Sequence, residues 1–212
     1  MQWFKIPFWL PWLMPSRLWR GPKYDPQGQA CIYLTFDDGP IPEVTPWVLD
    51  QLDAYGAKAT FFCIGENTQR HSEILQDIVR RGHLVGNHTQ SHCKGTRTST
   101  QNYLSQVRQF EQATGLKSKL FRPPYGRLTA DQASGLTKLG YRIVMWDVLS
   151  YDWQKERSAE LIFSQLKRYI SPGSIVVFHD SLKAEKNLRA VLPKILEHIN
   201  NKGITMALLS QD

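Results

Sequence analysis

The chain reads as an α/β protein built on parallel strands, and three observations predict it. From residue 30 onward, β-branched and aromatic runs alternate with stretches of helical periodicity. The strand-like runs number about seven, enough for one sheet. The polar residues able to do chemistry recur where these runs end, and parallel α/β folds gather their sites at strand C-termini. Such a sheet either closes as a barrel or stays open and doubly wound.

Cys31 to Phe36 is the first strand, and it ends in acids. Thr45 with Pro46 opens a helix whose Trp47, Val48, Leu52 and Tyr55 share a face. Ala59 to Ile64 is the second strand. His71 to Arg81 is helical, with Ile74, Leu75 and Ile78 in one stripe. His83 to Gly86 is a short strand, Tyr103 to Ala113 a helix, and Leu120 with Phe121 a strand stopped by Pro123 and Pro124. Ala130 to Leu139 is a helix and Tyr141 to Trp146 a strand. Ser158 to Ile170 is a helix with Leu161, Ile162, Leu166 and Ile170 inward. Ser174 to Phe178 is a strand, Leu188 to Asn201 a helix, and Thr205 to Leu208 the last strand.

A chain of 212 residues and 24.5 kDa makes one domain, or one domain plus an arm. With 42% hydrophobic and 21% charged residues it is neither disordered, collagen-like nor a coiled coil. The net charge of +7 suits an anionic partner. Its basic residues are spread along the chain, however, with no zinc-finger spacing and no basic helix face, so nucleic acid is not the expected partner. Three cysteines, Cys31, Cys63 and Cys93, cannot build a disulfide framework.

Residues 1–29 form an aromatic arm ahead of a domain spanning 30–212. Four of the seven tryptophans, Trp3, Trp9, Trp12 and Trp19, lie in it. Pro7, Pro11 and Pro15 interrupt its apolar stretch, and no small-residue cleavage site follows, so it reads neither as a cleavable signal nor as a transmembrane helix. Two readings remain: an arm packed on the domain, or an interfacial anchor touching a membrane. The expected location is cytoplasmic or peripherally membrane-associated.

His88 and His92 stand four apart in HTQSH, a spacing that on a helical turn puts two imidazoles on one side. A carboxylate from the first strand would complete a two-histidine, one-acid set with open positions, as catalytic ions need. Asp37 and Asp38 are adjacent at a turn that Gly39 and Pro40 announce, so one can bind an ion while the other serves as base. Cys93 beside His92 is a weak candidate for a further ligand, because a thiolate would close the site. Asn87-His88-Thr89 matches a glycosylation sequon, but Asn87 is expected at the mouth of the site instead. His71, His83 and His198 read as scaffold or surface histidines.

TFDDGP, HTQSH, RPPYG, a Trp-x-V segment followed by Asp-Trp, and a strand ending in histidine form an ordered set. The set resembles the polysaccharide deacetylases of carbohydrate esterase family 4, the NodB-like or chitooligosaccharide deacetylase group. The resemblance runs from about Ile32 to Leu208. It implies a distorted (β/α) barrel and a metal-dependent hydrolase removing N-acetyl groups from a glycan, such as a chitin-type oligomer or peptidoglycan, and releasing acetate. Asp38, His88 and His92 would hold a divalent metal, zinc first, with cobalt or nickel as alternatives. Asp37 would be the base toward water activated by that ion, Arg122 would orient Asp37, and His179 would be the acid, tuned by Asp152. The Tyr125 N–H would help hold the oxyanion, Trp153 would wall the pocket, and Val176 would line the slot for the acetyl methyl.

The chemistry is coherent: a metal lowers the pKa of water, and an amine leaves only when protonated. O-acetyl ester hydrolysis, as on acetylxylan, passes through the same oxyanion and is the alternative. A silent metal- or glycan-binding relative is the other, though none of the expected groups is missing. The sequence departs from the family where Leu149 replaces a common acid and Asp147 adds one, making Asp147 either a substitute or a structural residue. No G-x-S-x-G elbow or P-loop is present.

Overall fold

The computed structural model describes residues 3–210. In chain order its elements are α1 (Leu10–Leu13), β1 (Arg17–Leu18), β2 (Cys31–Asp37), α2 (Thr45–Asp53), β3 (Ala59–Cys63), α3 (Gly65–Arg70), α4 (Ser72–Arg80), β4 (Leu84–Asn87), α5 (Thr100–Thr114), β5 (Leu120–Phe121), α6 (Ala130–Lys138), β6 (Arg142–Val144), β7 (Val148–Leu149), α7 (Ala159–Tyr169), β8 (Ile175–His179), α8 (Glu185–Asn201) and β9 (Thr205–Met206). The strands lie in the order β1-β6-β5-β4-β3-β2-β8-β7, with β9 beside β2. Every strand pair is parallel, and the sheet curls into an incomplete barrel. All seven predicted strands are present, and β1 and β7, two residues each, are additional. The helices α1 and α3 were not expected from the pattern. Prolines obscure the first, and GENTQR in the second has no apolar periodicity.

Strand alternation sorts the core. On β2, Ile32, Leu34 and Phe36 face the helices and pack with Phe61, Val176 and Phe178. Cys31 and Tyr33 face the barrel interior, where they meet Phe62, Leu120, Val144 and Ile175. Beyond this apolar plug the interior turns polar, with Thr35, Arg122 and Asp37 buried in it. The predicted stripe of α4 is buried as expected. On α7, Ile162 and Leu166 are buried but Leu161 is 42% exposed, because one residue turns the helix by about 100° and only one of two neighbours can face inward.

The arm divides. Phe4 and Trp19 are buried. Lys5 pairs antiparallel with Val148, the Leu149 N–H donates to Phe4 O at 2.8 Å, and the Ile6 N–H donates to Asp147 O at 3.0 Å. The strand β1 pairs with β6, and the Gly21 N–H reaches Gly173 O at 3.0 Å. One short segment thus lies along both ends of the sheet, β6 and β7. Phe8 and Trp12 nevertheless stand 86% and 84% exposed. Among the described residues no helix is long and apolar enough to cross a membrane. Residues 1–2 of the expected arm and 211–212 of the expected domain lie outside the described residues.

Candidate active site

Parallel strands deliver their C-terminal ends to one rim. The register of β2 and β8 sets Asp37 directly beside His179, so a carboxylate and an imidazole stand on neighbouring strands at the same height. Both line a cavity of about 590 Å³, together with Asp38, His88, His92, Tyr125, Trp146, Leu149, Trp153 and Val177.

Arg122 crosses the barrel interior and is fully buried. Its Nη1 donates to Asp37 Oδ1 and to Thr35 Oγ1, both at 2.7 Å, and its Nη2 donates to Met145 O at 2.9 Å. The guanidinium lies 4.2 Å over the Phe62 ring. A buried ion pair needs its remaining protons satisfied, and here carbonyls and a hydroxyl satisfy them. The result is one fixed orientation for the Asp37 carboxylate.

Asp38, with φ of 82°, turns away from the strand. Asp180 supports that turn from beneath: its Oδ1 accepts the Gly39 N–H at 3.1 Å, and its Oδ2 accepts the Thr45 hydroxyl at 2.6 Å. A Cβ on Gly39 would lie 2.0 Å from Asp180 Oδ2, so only glycine fits. Burial pushes Asp180 up to about 8. Sequence reasoning missed this residue, although it directly follows His179.

His88 and His92 approach with ring centroids 5.1 Å apart. The segment is a loop, not the helical turn that the four-residue spacing suggested, and Thr89 and His92 take positive φ of 67° and 55° to bring the rings together. Both Nε2 atoms face Asp38 Oδ1, at 3.7 and 3.3 Å. The His88 Nδ1 must donate to Arg122 O at 2.7 Å, since a carbonyl only accepts, and this leaves the Nε2 lone pair for an ion. Burial pushes His88 down to about 4, keeping it neutral as a ligand must be. Burial works to raise Asp38, but its electrostatic surroundings, the His179 imidazolium foremost, outweigh it and hold the carboxyl below its usual range.

Ligand atoms of Asp38, His88 and His92 lie within 4.8 Å of one another, and Asp38 Oδ1 is buried with no hydrogen-bond donor. An orphaned buried carboxylate oxygen between two imidazoles fits a divalent cation. Cys93 is outside this group: it packs beside the apolar cluster under α5 and α6.

His179 is held from both sides of Asp152, whose Oδ1 accepts the ring Nδ1–H and whose Oδ2 accepts the backbone N–H, each at 2.8 Å. Burial disfavours the imidazolium, yet Asp152 outweighs it and lifts His179 to about 9. Trp153 packs edge-on against the ring at 4.5 Å. Tyr125, with φ of 59°, sets its ring 4.7 Å from that of His92.

Two expected placements change, those of Val176 and Asn87, and of the two readings open for Asp147 the structural one holds. Val176 lies on the helix-facing side of β8 in the hydrophobic core, and Val177 lines the cavity, because Val177 and not Val176 shares a strand face with His179. Asp147 sits level with Ile175 at the far end of β8, where it accepts from Ile175 N–H at 3.0 Å, Ser174 Oγ at 3.2 Å and Arg20 Nη1. It is structural and fastens the arm. Asn87 is not at the mouth of the site. It is buried, donating to Val107 O at 2.9 Å and to Tyr141 at 3.2 Å, while its Oδ1 accepts the Thr89 N–H and shapes the histidine loop.

Residues 24–144 match the family model described as polysaccharide deacetylase. A peptidoglycan-N-acetylglucosamine deacetylase of Bacillus cereus is 35% identical over 183 residues, covering 84% of this chain and 66% of the relative. A chitooligosaccharide deacetylase of Azorhizobium caulinodans is 34% identical over 164 residues, 73% of this chain and 75% of the relative. A crystal structure of a peptidoglycan N-acetylglucosamine deacetylase superposes with a TM-score of 0.86 at 32% identity, covering 96% of this chain and 95% of that one.

Proposed function

The chain belongs to the polysaccharide deacetylase family, and from that membership we propose that it hydrolyses the acetamide of an N-acetylated glycan to acetate and a free amino sugar. The observation that carries the reading is the register pair Asp37 and His179. It sets a carboxylate and a charged imidazole beside three side chains that could hold a cation, all lining one cavity. Relatives that match this chain act on peptidoglycan or on chitooligosaccharides, and a glycan of that kind is the substrate class.

Asp38, His88 and His92 would hold a divalent metal, with zinc suited to two imidazoles and one carboxylate. Such an ion supplies Lewis acidity at the acyl oxygen and acidifies water. Asp37 takes the proton of the attacking water, and Arg122 keeps its lone pair aimed at the cavity. The Tyr125 N–H serves the developing oxyanion from the RPPYG loop. With Nδ1 committed to Asp152, His179 presents Nε2 to the departing nitrogen and protonates it, so that an amine rather than an amide anion leaves. Trp153 and Trp146 wall the cavity, and Val177 borders the acetyl end.

The test is acetate release from N-acetylglucosamine oligomers and from peptidoglycan strands. We expect a strong chelator to abolish it, Zn²⁺ or Co²⁺ to restore it, and Asp37→Asn to lower kcat by at least about 10² while metal content stays at one equivalent. Full turnover by metal-free protein, or by Asp37→Asn, would refute the reading. Faster release from acetylxylan than from any amide substrate would replace it with ester hydrolysis.

A further inference from the structure

Three cations line the same cavity as the catalytic groups: Lys94, Arg127 and Lys183. They come from three different loops, each of which also carries a site residue. Lys94 is two residues after His92, Arg127 two after Tyr125, and Lys183 four after His179. Their Cα atoms therefore lie within about 7, 7 and 14 Å of those of the site residues, inside the reach of long side chains. Lys94 Nζ lies 5.9 Å over the Tyr125 ring, on the oxyanion side of the cavity.

None of the three is ion-paired with a carboxylate among the described residues. The carboxylates of the cavity are already matched. Asp37 is bound to Arg122, and Asp38 faces two imidazoles and the cation site. The rim thus carries positive charge that neither the fold nor the hydrolysis of a neutral acetamide uses. A cleft lined by one sign of charge focuses its field on an incoming ligand of the other sign.

We propose that this cavity selects glycans bearing a carboxylate close to the reacting acetamide, on the same sugar or on its neighbour, over neutral N-acetylglucosamine polymers. The proposal rests on the deacetylase reading and specifies its substrate. The lactyl ether of muramic acid carries such a carboxylate one ring carbon from the acetamide. The cations span three loops, which matches a group held outside the reaction centre rather than the acetate product within it.

The experiment compares kcat/KM for acetate release by the zinc-loaded protein on three substrates. They are a neutral N-acetylglucosamine tetramer, strands of matched length alternating N-acetylglucosamine and N-acetylmuramic acid, and the same strands with their carboxylates amidated. At low salt the charged strands should exceed both neutral substrates by about tenfold or more, and the advantage should shrink in about 0.5 M salt. In the triple variant Lys94→Gln, Arg127→Gln, Lys183→Gln, the ratio of charged to amidated strands should fall toward one. Mass spectrometry of the digested product assigns the free amine to the muramic sugar or to its neighbour, which tells whether the recognised carboxylate is on the reacting ring. Equal rates on charged and amidated strands, or a ratio that the triple variant leaves intact, would overturn the proposal. Acetate from none of the three would overturn the deacetylase reading itself, and this proposal with it.

Discussion

At the scale of single residues, the site depends on side chains that are fastened twice. His179 is held near pKa 9 by Asp152 against the penalty of burial, so the proposed acid stays charged through neutral pH. Its proton is lost as pH rises through that value, and activity should fall on the alkaline side. Asp152→Asn removes the compensating charge, and the alkaline limb of the kcat/KM profile should move down by about one to two pH units. Gly39 illustrates the opposite kind of constraint, an absent side chain. Gly39→Ala places a methyl into Asp180, displaces the turn that presents Asp38, and should weaken zinc binding by about tenfold or more, as read by competition with a fluorescent chelator. The groups proposed to touch the reaction were legible as residue types at strand ends. Their supports were not: nothing in the residue string says that Asp180 lies under Gly39, or that Asn87 is a buried brace.

At the scale of elements, the alternating strands and amphipathic helices were legible because each buries one face and the period follows. Strand phase was harder. Val176 and Val177 are chemically alike, and only the position of His179 on the same strand decides which of them meets the cavity. The helix α6 carries a complete capping box, Thr129 with Gln132, and Thr129→Ala should cost about 1 kcal/mol in urea unfolding without changing acetate release at saturating substrate. Strand β3 is tied to His83, whose Nδ1 accepts the Ala59 N–H at 3.2 Å and which burial holds down to about 4. The unfolded chain binds that proton near pH 6.5 and the folded chain does not. Stability is therefore lost as pH falls from about 6.5 through about 4, by up to roughly 3 kcal/mol from this group. Urea midpoints across that range should slope downward with acid, and His83→Gln should flatten the slope.

At the scale of the whole molecule, the arm and the barrel are joined by a charge pair. Asp147 is buried, and Arg20 is its cationic partner while also donating to Ser171 and Pro172 O. Arg20→Met should destabilise the protein by about 2 kcal/mol, less than a fully buried pair would lose because Arg20 is partly exposed. Adding Asp147→Asn should recover part of the loss, and thermal unfolding of the single and double variants measures both. The barrel class was legible from strand count and motif order. The role of the arm was not, since prolines and tryptophans at this spacing specify neither a strand nor its partner.

That same segment decides how the protein behaves toward other copies of itself. A parallel sheet that stops short of closure has two bare margins, and unpaired amides on a margin recruit neighbouring chains. Here residues 4–6 sheathe one margin and β1 the other. A protease nick that released the segment would leave the rim with the candidate site in place and expose both hems at once. The first symptom would be turbidity in concentrated solution, ahead of any loss of turnover.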